Sequence, residues 1–112
     1  MSLTVQEFAD KLNLKILVGG ETDREITGCY IGDLLSWVMG RAQEDCAWLT
    51  VMGNINSIAV ATLADVSCIV LTESAALDAD AKAKAEIHGV NILTTEENSY
   101  RLAVKLSRLL GD

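Results

Sequence analysis

The stretch AWLTVMGNINSIAVATLADVSCIVL, Ala47–Leu71, decides the fold. It opens on an apolar run, Ala47–Met52, breaks at Gly53-Asn54, resumes to Leu63, and closes on a second apolar run, Ser67–Leu71. Both outer runs are short and almost continuously apolar, the pattern of strands covered on both faces. Between them Asn54 or Asn56 can cap a helix, because an Asn side chain accepts a hydrogen bond from the free amides of a first turn. Strand, helix and strand in immediate succession predict a right-handed crossover and a parallel sheet.

The same rhythm extends in both directions. Upstream, Ile26–Ile31 reads as a strand, with Gly28 suggesting a bulge or a close backbone approach, and Asp33 as the cap of a helix from Leu34 to about Ala42. Downstream, Leu77–His88 reads as a helix stopped by Gly89, and Val90–Leu93 as a strand. Thr94 with Glu97, or Thr95 with Asn98, then opens a helix to Leu110, in which Leu102, Leu106 and Leu109 keep the 3.6-residue period. At the start, Thr4-Val-Gln-Glu7 has capping-box spacing for a helix to about Leu12. A strand Leu14–Val18 follows, ending at Gly19-Gly20, and the polar segment ETDRE is a loop. The expected fold is α/β: a three-layer domain with a mainly parallel β-sheet built from successive βα units and helices on both faces.

The bulk composition fits one globular domain over residues 1–112, half of them hydrophobic and 22% charged. A net charge of −7 repels phosphate backbones, and Arg101, Lys105 and Arg108 follow Glu96 and Glu97 in the order that complements a helix dipole. The expectation is no nucleic acid. Cys29, Cys46 and Cys68 are widely spaced and odd in number, which predicts buried, reduced thiols and no metal site. Neither a signal-peptide pattern nor a spanning apolar run is present, so the expected setting is cytoplasmic, with no membrane.

In parallel sheets, ligands gather at the carboxyl ends of the strands. Gly53 could belong to a phosphate cradle, yet the run after Val51 has one glycine and no Lys, and the three-glycine dinucleotide fingerprint is absent. Gly53 therefore reads as a corner. His88 lies at the far end of its βα unit, and no Ser stands in a Gly-x-Ser-x-Gly elbow. The expectations are no catalytic residue, no cofactor, and a candidate ligand-binding rim of Asp33, Gly53, Asn54, Asn56, Thr72, Ser74 and Thr94. Trp37 is the candidate interface residue of a homodimer, since a small core gains from association and half-exposed Trp suits an interface.

The runs GNINSIAVATLADVSCIVLTES and HGVNILTTEENSYRLAVKLSRLL, with EFADKLNLKILVGG and ITGCYIGDLLSWV, resemble the DRTGG domain. The resemblance covers nearly the whole chain and implies likeness to the N-terminal domain of HPr kinase/phosphorylase, whose catalysis belongs to a neighbouring domain. The family's name joins an Asp-Arg corner to a Thr-Gly-Gly corner. Here Asn54-Ile55 replaces Asp-Arg, and Thr72 is kept while Glu73-Ser74 replaces the two glycines. Loss of the Arg and arrival of Glu73 disfavour an anionic ligand. The implied role is that of a stand-alone, non-catalytic regulatory or interaction domain. It would bind a partner protein or small metabolite, as an accessory to hydrogenase or electron-transfer metabolism. The alternative is a nucleotide or phosphometabolite sensor, or an enzyme, with its site on the same rim.

Overall fold

The computed structural model describes residues 2–112. The elements run α1 (Val5–Leu12), β1 (Lys15–Val18), β2 (Gly28–Ile31), α2 (Leu35–Arg41), β3 (Cys46–Thr50), α3 (Ile55–Ala64), β4 (Cys68–Leu71), α4 (Ala79–His88), β5 (Ile92–Thr94) and α5 (Ser99–Leu110). The strands form one five-stranded sheet in the order β1-β5-β4-β3-β2. Strands β2 to β5 pair in parallel, and β1 joins β5 antiparallel. The sheet is thus mainly parallel, as the apolar runs predict.

The topology follows from handedness. Three successive right-handed crossovers step in one direction across the sheet, which deposits α2, α3 and α4 on a single face. Side chains alternate between faces along each strand. Trp48, Ile69, Leu71 and Ile92 meet Val38, Ile58, Ala61, Ala81 and Ala85 of those helices. Ala47, Leu49, Cys68, Val70 and Leu93 point the other way, where only the chain's two ends are available to cover them. Helix α1 supplies Val5, Phe8 and Ala9 to that layer, and α5 supplies Leu102 and Leu106.

Local signals set most boundaries. Thr4 and Glu7 close the capping box of α1, and Asn54 caps α3 through the Ser57 amide at 3.1 Å. Three expectations are corrected. Asp33 does not cap α2: Leu34 occupies the cap with no side-chain bond, because the Asp33 carboxylate is held by β3 instead. Helix α5 starts at Ser99 under an Asn98 cap, since Thr94 stays in β5 and the next residues bond back to β4. Gly28 makes neither bulge nor close approach; a Cβ there would meet nothing within 4 Å, and the register shift lies in β1, between Ile16 and Val18.

Candidate functional site

The carboxyl ends of β2 and β3 are tied together by one side chain. Asp33 Oδ1 accepts from Thr50 Oγ1 at 2.7 Å and from the Val51 amide at 3.0 Å, and Trp48 Nε1 donates to the Gly32 carbonyl at 2.8 Å. Thr50 is buried, so its hydroxyl requires this partner. Ser57 Oγ donates to the Met52 carbonyl at 2.6 Å, closing the next corner. Gly53 has the close approach: an added Cβ would stand 2.0 Å from the Ala76 carbonyl oxygen, and the Asp78 amide donates to the Gly53 carbonyl at 2.8 Å. Gly53 is a corner where two loops touch through their backbones.

The β4 corner is locked to the β5 corner. Thr72 is fully buried, and its hydroxyl shares a 2.9 Å hydrogen bond with Ser99 Oγ. Glu73 and Ser74 both take the left-handed conformation, with φ 55° and 56°. That turn aims the Glu73 amide at the Glu97 carbonyl and the Ser74 amide at the Thr95 carbonyl, each 2.9 Å away. Two consecutive left-handed residues favour glycine, which lacks the Cβ that crowds the carbonyl. The backbone turn is present here without its glycines. Asn54 likewise keeps a capping oxygen where the motif has Asp, while Ile55 begins α3 where the motif has Arg.

The rim therefore brings together Asp33, Gly53, Asn54, Thr72, Ser74 and Thr94, each at the end of a parallel strand, but most are occupied structurally. Asn56 is exposed and its side chain makes no hydrogen bond among the described residues. Thr94 Oγ1 reaches the Leu71 carbonyl at 3.4 Å. Glu97 is the rim residue that the capping pattern obscures. One carboxylate oxygen pairs with Lys105, and the other, Oε2, is buried without a hydrogen-bond partner among the described residues. Thr50 and Ser99 also escape sequence reasoning, because their partners lie 17 and 27 residues away.

Topology limits what the rim can hold. The parallel run β2-β3-β4-β5 never reverses direction, so the crevice that opens at a switch point has no counterpart here. A partly open pocket lies at the opposite, amino-terminal end. A polar cavity of about 170 Å³ is lined there by Glu21, Arg24, Asp65, Ser67, His88 and Asn91. Its polar walls are internally bonded. Arg24 bridges Asp45 at 2.7 Å and Asp65 at 2.9 Å, and buried Asn91 bonds the Gly20 amide and the Glu21 and Ser67 carbonyls. His88 ends α4 on this side, away from the rim.

The cysteines divide. Cys46 and Cys68 are buried, whereas Cys29 is exposed on β2, which corrects its expected burial: an apolar run proves to be an edge strand. Burial pushes the Cys46 thiol up to about 11 and Cys68 higher still. Thiols held this way are poor nucleophiles near neutral pH. Among the described residues, no three His, Cys, Asp or Glu side chains converge as a metal site, and no helix is long and apolar enough to cross a membrane. Trp37 is 52% exposed, with the Arg41 guanidinium 3.7 Å from its ring centroid, while Trp48 is fully buried.

Comparison with known proteins places this geometry. The family model for the DRTGG domain matches residues 7–109. A solved structure that matches is that of the CBS and DRTGG domains of the regulatory region of Clostridium perfringens pyrophosphatase, complexed with its activator diadenosine tetraphosphate. Its TM-score is 0.73 at 15% sequence identity, over 96% of this chain and 45% of that one. The likeness is one of fold, and the chain spans less than half the length of its structural neighbour. No curated protein matches.

Proposed function

The chain belongs to the DRTGG domain family, and from that premise we propose that it is a non-catalytic regulatory domain that binds a small metabolite at the carboxyl-end rim. In this reading residues 1–112 form one domain, which acts in the cytoplasm as a homodimer with Trp37 in the interface. A partner protein reads its state. The resemblance alone supports placing it beside hydrogenase or electron-transfer metabolism.

The observation that carries the proposal is how the rim uses its polar groups. Asp33, Ser57 and Thr72, three of the rim side chains that could serve as base or nucleophile, are held in internal hydrogen bonds, as is the Asn54 cap, and no base stands beside the free Ser74 in a hydrogen-bonded pair among the described residues. Glu97 Oε2 is the buried acceptor left over. The Glu97 side chain as a whole is 33% exposed and paired with Lys105 through its other oxygen, so the carboxylate keeps acceptor capacity that a ligand N–H or O–H can take up after a small side-chain movement. With Glu73 and Glu96 also at this end, the favoured ligand end is a donor-bearing group rather than a phosphate. The structural neighbour's activator is a dinucleotide, which makes nucleosides and nucleotides the first class to test.

The test is thermal shift and calorimetry against nucleosides, nucleotides and phosphorylated metabolites. A ligand at about a hundred times its Kd adds about 2.7 kcal/mol. The expected hit is lost in Glu97→Gln, which removes the charge and replaces one acceptor oxygen by a donor NH2, and weakened in Asn56→Ala, which removes no internal side-chain bond. A hit indifferent to both substitutions moves the site off the rim. Turnover of the bound compound would overturn the non-catalytic reading.

A further inference from the structure

Strand β2 closes the sheet on one side, with no strand beyond it among the described residues. Exposed edges are normally guarded by Lys, Pro, inward charges or bulges, because unpaired N–H and C=O groups recruit another strand. Gly28-Cys29-Tyr30-Ile31 is short, itself a partial guard, but has none of these. Cys29 is exposed and Ile31 is 50% exposed. The Gly32 amide donates to the Leu49 carbonyl at 3.2 Å, so strand alternation turns the main-chain groups of Cys29 and Ile31 away from β3, toward the open edge. The other edge is guarded: β1 begins with Lys15 and carries the register shift between Ile16 and Val18.

The flanks of the open edge are largely apolar, with Arg108 and Asp112, of opposite charge, also lining the α5 side. Leu34 is 59% exposed and Trp37 52% on the α2 side, and Tyr100 is 75% exposed at the start of α5. An open groove of about 590 Å³ joins Ile31 to Tyr100, Ala103 and Val104. From Ile26 to Gln43 the only charged residues are Asp33 and Arg41. The first is bonded to Thr50 and Val51, and the second lies over the Trp37 ring. Two molecules of net charge −7 repel each other over most approaches, and this near-neutral flank is where a second copy can come close.

We propose that two copies of this chain associate through β2, antiparallel about a two-fold axis, so that their sheets join into one. This rests on the homodimer reading above and adds where the contact lies. A two-fold arrangement closes on itself and leaves neither β2 edge free. The strand alone is too short for a stable interface, which needs about 1,200–2,000 Å² in total, so Leu34, Trp37 and Tyr100 must contribute. An exposed Trp under Arg41 on one flank and an exposed Tyr on the other match the composition interfaces favour.

The experiment is solution mass by light scattering on the wild type, Ile31→Lys and Ile87→Lys. Ile87 is 79% exposed on α4 and serves as a remote control. The expected results are twice the 12.0 kDa chain mass for wild type and Ile87→Lys, and at least tenfold weaker association for a folded Ile31→Lys. A monomeric wild type overturns both the homodimer reading and the edge contact. A dimer indifferent to Ile31→Lys leaves the first and overturns the second. Should that variant not fold, amide exchange on the wild type decides. Cys29 and Ile31 amides that slow as concentration rises support the pairing; fast exchange at every concentration refutes it.

Discussion

Replacing Glu73 and Ser74 by glycine should stabilise the protein. Both residues sit in the left-handed region, at φ 55° and 56°, and both side chains are exposed with no hydrogen bond among the described residues. The substitution therefore removes no contact and acts through the backbone alone. A residue with a Cβ loses about 1–2 kcal/mol in this conformation, and glycine gives back about 0.5–1 kcal/mol through the greater freedom of its unfolded chain. The net gain is about 0.5–1 kcal/mol per site, or about 1–2 kcal/mol for Glu73→Gly with Ser74→Gly. For a domain of this size that raises Tm by about 4–8 °C. Urea unfolding should show a higher midpoint at unchanged slope. An internal control is Asn13→Gly, also left-handed at φ 55° but of a residue type that tolerates it, where the change should stay within about 0.5 kcal/mol. A double variant no more stable than wild type would refute the strain argument. It would also refute the view that the motif's glycines serve this turn.

Two further outcomes follow from the same geometry. Gly53→Ala drives a Cβ to 2.0 Å from the Ala76 carbonyl oxygen, so the Ala75–Asp78 loop must shift. We expect a loss of about 2–3 kcal/mol in urea unfolding, and a loss below about 0.5 kcal/mol would mean the two loops are not in contact. The thiols set an alkaline limit. Cys46, pushed up to about 11, and Cys68, pushed higher, remain protonated when folded but ionise at about 8.5 when unfolded. Their contribution to stability is whole below about pH 8.5 and is lost as pH rises toward 11. The urea midpoint should fall as pH rises from about 8.5 to about 11; a midpoint unchanged across that range would contradict the raised pKa values.

Local chemistry made much of this protein legible in one dimension. The apolar runs around Cys46–Thr50 and Cys68–Leu71, the caps at Thr4 and Asn54, and the αL stop at Gly89 each depend on residues within a few positions. Periodicity and capping report such groups directly. The same locality explains the failures. Asp33 has the spacing of a cap, but Thr50 and the Val51 amide, across the strand pair, compete for its carboxylate and win. Cys29 sits in an apolar run that proves to be an edge, because strand order depends on which way each crossover steps.

The sequence by itself determined the mainly parallel sheet, its helical cover and the corners where parallel strands end, since these follow from hydrophobic period and capping over short spans. Only the tertiary structure decided that Glu73 and Ser74 take the glycine conformation, that Thr72 meets Ser99, that Glu97 buries an unpaired oxygen, and that β2 stays open. Those outcomes are set by groups tens of residues apart, brought together by packing that no local pattern records.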